Sequence, residues 1–450
     1  MPRAKRPKRV SSAKVSKRLP LLVSFDGGEI TSNAGVVLLR LIDEKYQITE
    51  RIARCWRDRR DQRYVKHDLC TLLRQRLYQI ACGYPDTNDT DTLRDDPALV
   101  ASARGTEAGK KPLASQPTLS RLENSADSRI VYHLNQLLVE LFFEVMEEPE
   151  EVILDVDATH AKTHGGQQLS FFHAYYDDHV YLPLVIYEGH TGFPLAVVLR
   201  PGNRHASHRS VEILERLIGR IKRQWPGTRI LVRADSGFAG PEMFEMLDRE
   251  GVDYLIGLIR NRRLEREVLE VFARLRRKKK AKRRQHFTSF RYAARSWNRK
   301  RRVVARVQIT HGEDNPRFVV TNMRSGSAED LYGLYCERAV GSEANIKELK
   351  NTFFGHRMSC RRFWANQARL LFSAFAHVLV LLLRRAIERT EWTRRSLATI
   401  RLHFLKVGAS VRWCVRHVRF RLPTAFPEKG VFAELIAKMA PRQGWEIGLG

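Results

Sequence analysis

Cysteine is scarce: six in 450 residues (Cys55, Cys70, Cys82, Cys336, Cys360 and Cys414), and no two stand at a Cys-x-x-Cys spacing. That scatter argues against a zinc knuckle and a disulfide framework, and it suits a reducing, cytoplasmic setting. No apolar stretch near residue 1 reads as a secretion signal. The longest apolar run, Leu370 to Leu383, is interrupted by Ser373 and His377. It is too short to span a bilayer and reads as a buried helix, so no membrane partner is expected. Glycine and proline are modest at 27 and 17, and apolar residues make up 43%, which excludes collagen-like and disordered classes. Acid is the other shortage. Fifty Asp and Glu face 79 Lys and Arg, leaving a net charge of +29. Arginine outnumbers lysine, as suits bidentate phosphate contacts, and the charge is spread along the chain. The expected partner is a nucleic acid.

The chain is long enough for two or three units. Residues 1–18 hold eight Lys or Arg and no acid, and read as a disordered basic arm. Residues 19–147 read as a helical DNA-binding region, with apolar periodicity over 34–42, 69–80 and 131–146. Within it Ser115 is expected to cap a helix whose first turn holds Pro117. Ser115, Gln116, Thr118 and Arg121 are the DNA-contact candidates there, because helix N-termini of this composition suit backbone or base contact.

From about 148 the pattern changes to strands: 152–159, 169–176, 180–187 and 193–199, a meander with glycine-containing turns. A helix over 207–225, a strand over 229–234, a helix over 241–250 and a strand over 252–259 follow. This order is that of an α/β, ribonuclease-H-like catalytic domain, placed at 148–360. A basic insertion at 260–302 interrupts it. Residues 276–284 are eight-ninths basic, including Arg276, Arg277, Lys278, Lys279 and Lys280, with Phe287, Phe290, Tyr292 and Trp297 downstream. Such interleaving suits a groove that follows phosphates and stacks bases. Residues 361–450 read as a helical, basic C-terminal region.

Three acids carry the chemistry. Asp157 ends a strand-like segment, Asp235 follows the run Ile230 to Ala234, and Glu343 lies in a helical stretch. Functional side chains gather at the carboxyl ends of parallel strands. Asp155 and Asp157 share a strand face, so periodicity does not choose between them. Asp157 is preferred because it lies nearer the strand end, with Asp155 as the alternative ligand. Glu343, Lys347 and Lys350 share a helical face. His160 and His164 are four apart without a second ligand pair, which does not make a zinc site.

In order and spacing, several segments resemble the DDE transposases of bacterial insertion sequences, within the family numbered 1380. They are Phe25 to Gly35, Leu113 to Arg121, Asp155 to Thr159, His164 to Gln168, Leu199 to Asn203, Arg233 to Phe238 and Glu343 to Lys350. The resemblance implies Asp157, Asp235 and Glu343 as ligands of two Mg2+ (or Mn2+) ions. Tyr335, Arg338 and Lys350 would complete a Tyr-x2-Arg-x3-Glu-x6-Lys signature and bind phosphates. It implies double-stranded DNA partners, namely terminal inverted repeats and a target, and a homodimer that pairs two ends. The alternatives are a structure-specific nuclease on the same fold and a DNA-binding relic. One spacing departs: four residues, not three, separate Arg338 from Glu343. An extra residue turns a regular helix by about 100°. Gly341 is the expected place for a bulge to absorb it.

Overall fold

The computed structural model describes residues 21–105, 110–277, 285–310, 313–388 and 390–440. The basic arm at 1–18 and Lys278, Lys279 and Lys280 therefore lie outside the described residues.

The core is an eight-stranded mixed sheet. Its order across the sheet is Gln285–Tyr292, Arg301–Thr310, Glu313–Thr321, Asp253–Leu258, Arg229–Ala234, Glu151–Ala158, Leu184–Glu188 and Pro194–Val198. The three central strands, Asp253–Leu258, Arg229–Ala234 and Glu151–Ala158, run parallel, and every other neighbouring pair is antiparallel. Parallel strands covered on both faces need near-continuous apolar runs, and Val152-Ile153-Leu154 and Ile230-Leu231-Val232 supply them. Alternation then sorts the two faces. Ile153, Leu231, Leu255, Val304 and Val319 pack beneath Leu331 and Tyr332 of the helix Ala328–Lys347. Val152, Leu154 and Val156 face the opposite core, which includes the buried stripe Leu214, Leu217, Ile218 and Ile221 of the helix Ser210–Gln224.

Two segments depart from the expected pattern. Within 169–176 only Phe171–His173 is a strand, and it joins Ala161–Lys162 and Asp178–Tyr181 in a separate three-stranded sheet. Phe171 and Phe172 are exposed, so no core face holds them in the large sheet. The 260–302 stretch is less of an interruption than its composition suggests. It forms the short helices Arg262–Arg266 and Leu269–Arg277 and then the edge strand Gln285–Tyr292.

The helices Val36–Tyr46, Leu69–Ala81, Gln116–Asn124 and Ser128–Val145 pack around Phe363–Ala386. That last helix holds the Leu370–Leu383 run, and the whole apolar window is buried. His377 sits inside it with both ring nitrogens unpartnered; burial pushes its pKa down to about 3 and keeps it neutral. Residues beyond 400, expected to be helical, also depart: they add a hairpin, Ala409–Trp413 with Val418–Arg421, which pairs with Ile30–Thr31.

A buried ion triad ties three of these helices. The Glu123 carboxylate accepts from Arg76 Nε at 2.8 Å and from Arg369 Nη1 at 3.0 Å. Burial opposes its charge, but the two guanidinium groups outweigh that and hold the carboxyl below its ordinary range. Removing one partner of a buried ion network leaves uncompensated charge. Glu123→Gln is therefore expected to lower unfolding free energy by about 3–5 kcal/mol. Urea denaturation checks this, and an unchanged midpoint would show the triad to be dispensable.

Candidate active site

The register of the central strands builds the site. Asp155 faces Arg233 across the parallel pair, and Val156 faces Ala234. One step further, Asp157 and Asp235 emerge side by side at the carboxyl ends of adjacent strands, which lie about 4.8 Å apart. Asp235 adopts extended backbone, and its Oδ1 accepts from Gly237 N at 2.8 Å, opening the turn Ser236–Phe238. Gly237 leaves room for that bond, since an added Cβ would stand 3.0 Å from the same oxygen.

Asp155 is not available as a ligand. It is fully buried and bound through both oxygens to Arg233, at 2.7 and 2.8 Å. Arg233 also donates to the Leu334 carbonyl at 2.8 Å and so clamps the helix Ala328–Lys347 over the sheet. The alternative that strand periodicity left open is thus corrected: Asp155 is the structural member of the pair and Asp157 the one presented to the site.

From that helix Arg338 reaches down, and its Nη1 donates to Asp157 Oδ2 at 2.9 Å. Its Nε is buried with no acceptor. The guanidinium lies 5.7 Å from the Tyr335 ring centroid. Tyr335 fits because Gly257 lacks a side chain; a Cβ there would come within 2.7 Å of the phenolic oxygen. Lys350 donates to Thr159 Oγ1 at 3.2 Å and the His160 carbonyl at 3.0 Å, and burial depresses its pKa. His160 stacks on Tyr176 at 4.1 Å. Tyr176 is a neighbour the sequence did not single out; it enters through the small sheet, whose placement has no periodic signal. Its hydroxyl pKa is raised by burial, by Tyr175 and by both Asp157 and Asp235.

Glu343 does not join them. The helix runs unbroken through Gly341 to Lys347, and the irregularity comes after Glu343, as a π-type turn over Glu348–Thr352. The extra residue is therefore not absorbed before Glu343. Arg338 keeps the site-facing register, Ser342 lies fully buried on that side with its Oγ unpartnered, and Glu343 and Lys347 point to solvent. The expected bulge at Gly341 is corrected.

Other candidates lie apart from the acids. Ser115 precedes the helix Gln116–Asn124 but bonds no backbone amide of it; its Oγ meets Thr118 Oγ1 at 3.4 Å. The Gln116 amide donates to Asp91 at 3.3 Å. Thr118 and Arg121 line a cleft in the helical region. Arg276 pairs with Asp314 at 2.7 Å, and Arg277 is exposed. The aromatics expected to stack bases are used in packing: Phe287 against Tyr332, Phe290 against Phe318, and Trp297 against Phe244 and Tyr292.

Two adjacent carboxylates suit a divalent cation, which takes hard oxygen ligands. Burial pushes the Asp157 pKa up to about 6, with Asp235 adding to the rise and Arg338 opposing it. A cation between the two acids relieves that strain. The full triad is not assembled, since no three His, Cys, Asp or Glu side chains converge among the described residues. With its folded pKa above its unfolded one, Asp157 favours folding most at low pH. That contribution, about 3 kcal/mol, is lost as pH rises from about 4 through about 6. Asp235→Asn removes the repulsion, so the Asp157 carboxyl should titrate below its wild-type midpoint near 6. Carboxyl-carbon NMR against pH reads this directly, and an unmoved midpoint would separate the two acids.

The residues from 13 to 443 match a family model described as transposase DDE domain group 1. Among solved structures, the chain is similar to a piggyBac transposase synaptic complex with hairpin DNA, determined by cryo-EM. The identity is 11% and the TM-score 0.44, over 82% of this chain and 79% of that one. No curated protein matches the chain. With the family model running over nearly its whole length, this chain belongs to the transposase DDE domain group 1 family.

Proposed function

We propose that this protein is the transposase of an insertion sequence, within the family numbered 1380, that cuts DNA at its element's terminal inverted repeats and joins the 3′ ends to a target. The observation that carries the reading is the pair Asp157 and Asp235, side by side at the ends of parallel strands beneath Arg338 and beside Lys350. A ribonuclease-H-like catalytic domain over 148–360 accords with the strand order, in which three antiparallel neighbours are followed by two parallel strands on the other side of Glu151–Ala158. We place the helical DNA-binding region before that domain, a homodimer around two paired ends, and the work in the cytoplasm.

Asp157 and Asp235 are the residues that would hold Mg2+ or Mn2+. Bound there, the metal supplies an activated oxygen nucleophile and stabilises the departing 3′ oxygen. The chain's own groups do the positioning. The buried, unpartnered Nε of Arg338 is the donor we assign to a phosphate oxygen. The Lys350 ammonium is anchored at Thr159 and the His160 carbonyl, two and three residues past Asp157, and is the second donor we assign to that phosphate. Glu343 serves as third acid when the extra residue is taken up before it, which turns it by about 100° into the place Ser342 occupies.

Asp235→Asn is expected to lower cleavage of a duplex bearing the element's end by about a thousandfold, several kcal/mol of transition-state stabilisation. Gel assays for nicked and joined products check it. Products cut but never joined, with either metal, would favour a nuclease on the same site. The outward Glu343 specifically favours the relic reading, in which wild-type protein binds DNA and never cuts it.

The register of Glu343 has its own test. Glu343→Ala should weaken Mn2+ binding about tenfold, and Ser342→Glu with Glu343→Ala should recover it by placing a carboxylate on the site-facing side. Calorimetric Mn2+ titration measures both. Equal affinity in all three proteins would remove Glu343 from the metal set.

A further inference from the structure

Residues 51–60 carry five arginines in ten positions. They span the last five residues of the helix Ile48–Cys55 and the five after it, the helix stopping at Trp56 in extended backbone. Trp56 fixes this segment. It is buried, donates Nε1 to Ser125 Oγ at 2.9 Å and stacks on Phe372. The segment forms one wall of a cleft of about 810 Å³, and the helices Gln116–Asn124 and Ser128–Val145 form the other. Leu72, Leu122 and Leu137 line its apolar part.

The arginines here divide into two sets. Arg60 is held by both oxygens of Asp58 and by the His67 carbonyl, and Arg51 is held by Glu140 and Glu144. Arg54, Arg57, Arg59, Arg121 and Arg129 have no carboxylate partner among the described residues and are exposed, with Arg54 turned aside to the Gln47 side-chain oxygen. The first set shapes the walls, and the second leaves guanidinium groups facing one space from both sides. Seven arginines line this cleft against three acids, Asp58, Asp127 and Glu140, and an anion placed between the walls relieves the excess of like charge. The space is far larger than one phosphate needs, and two walls of guanidinium donors suit a run of phosphates. Thr118, on the opposite wall, adds a hydroxyl of the kind that bonds backbone phosphate.

We infer that this cleft seats the sugar–phosphate backbone of duplex DNA, at a place separate from the acid pair, with Arg57, Arg59, Arg121 and Arg129 as its phosphate contacts. The inference rests on the DNA-processing reading above and adds to it the surface that holds the duplex. Fluorescence anisotropy with a labelled mixed-sequence duplex tests it. The triple variant Arg57→Ala, Arg59→Ala, Arg121→Ala is compared with a charge-matched control, Arg216→Ala, Arg223→Ala, Arg263→Ala, built from exposed arginines elsewhere. The cleft variant should bind ten- to a hundredfold more weakly at 0.1 M salt. Its plot of log affinity against log salt should be shallower by about two to three, since each lost phosphate contact removes about 0.9. The control should keep the wild-type slope. Equal losses in both variants would overturn the cleft while leaving the DNA reading intact. A cleft variant that loses single-stranded but not duplex binding would overturn the duplex assignment. Wild-type protein that binds no DNA at all would instead sink the reading on which this rests.

Discussion

The buried pair between Arg233 and Asp155 is the contact on which the site depends. It lies two residues before Asp157 and Asp235, on the same face of the sheet, and joins residues that are register partners. A buried charge left without its partner is costly, so the two central strands are held to this one alignment. A slip of one residue would turn every side chain of the strand to the other face. The same guanidinium bonds the Leu334 carbonyl, so the height of the helix above the sheet is set by the strand register too. Asp157, Asp235 and Arg338 meet because this contact lies beneath them.

The sequence made the strand ends visible and left the pairing between them hidden. Asp157 and Asp235 were legible from apolar runs that stop at an acid. The competition between Asp155 and Asp157 was not, because both point the same way and the deciding residue, Arg233, is 78 positions distant. The spacing between Arg338 and Glu343 announced an extra residue, and Gly341 looked like its place. The backbone takes it up instead over Glu348–Thr352, and helix phase is a property of the whole segment that no single glycine decides. The aromatics after the basic run misled for a similar reason. Phe287, Phe290 and Trp297 read as stacking platforms by composition, whereas the edge strand that carries them turns them onto the core. Tyr176 had no signal at all, since the small sheet that delivers it is made of strands two to four residues long.

Burial takes up acid and base in nearly equal measure. Asp155, Glu123 and Asp43 are buried and spent on arginines or on hydrogen bonds inside the protein. Many of the arginines outside have no such partner. Six arginines are buried beside four acids among the described residues, so the surface keeps nearly all of the net charge of +29. Against that field the Asp157 and Asp235 pair is a local reversal of sign.

The helix Phe363–Ala386 packs against helices from residues 36–145 and also against the strand Pro194–Val198. A ribosome delivers it last among these partners. Until it emerges, the earlier helices lack the element that fills their common interior, and their apolar faces stay open to solvent. Completion of the amino-terminal region is thereby postponed until this helix has been made, and a chain that lacks it has no completed core in that region. Gene truncation, in this architecture, removes more than the segment it deletes.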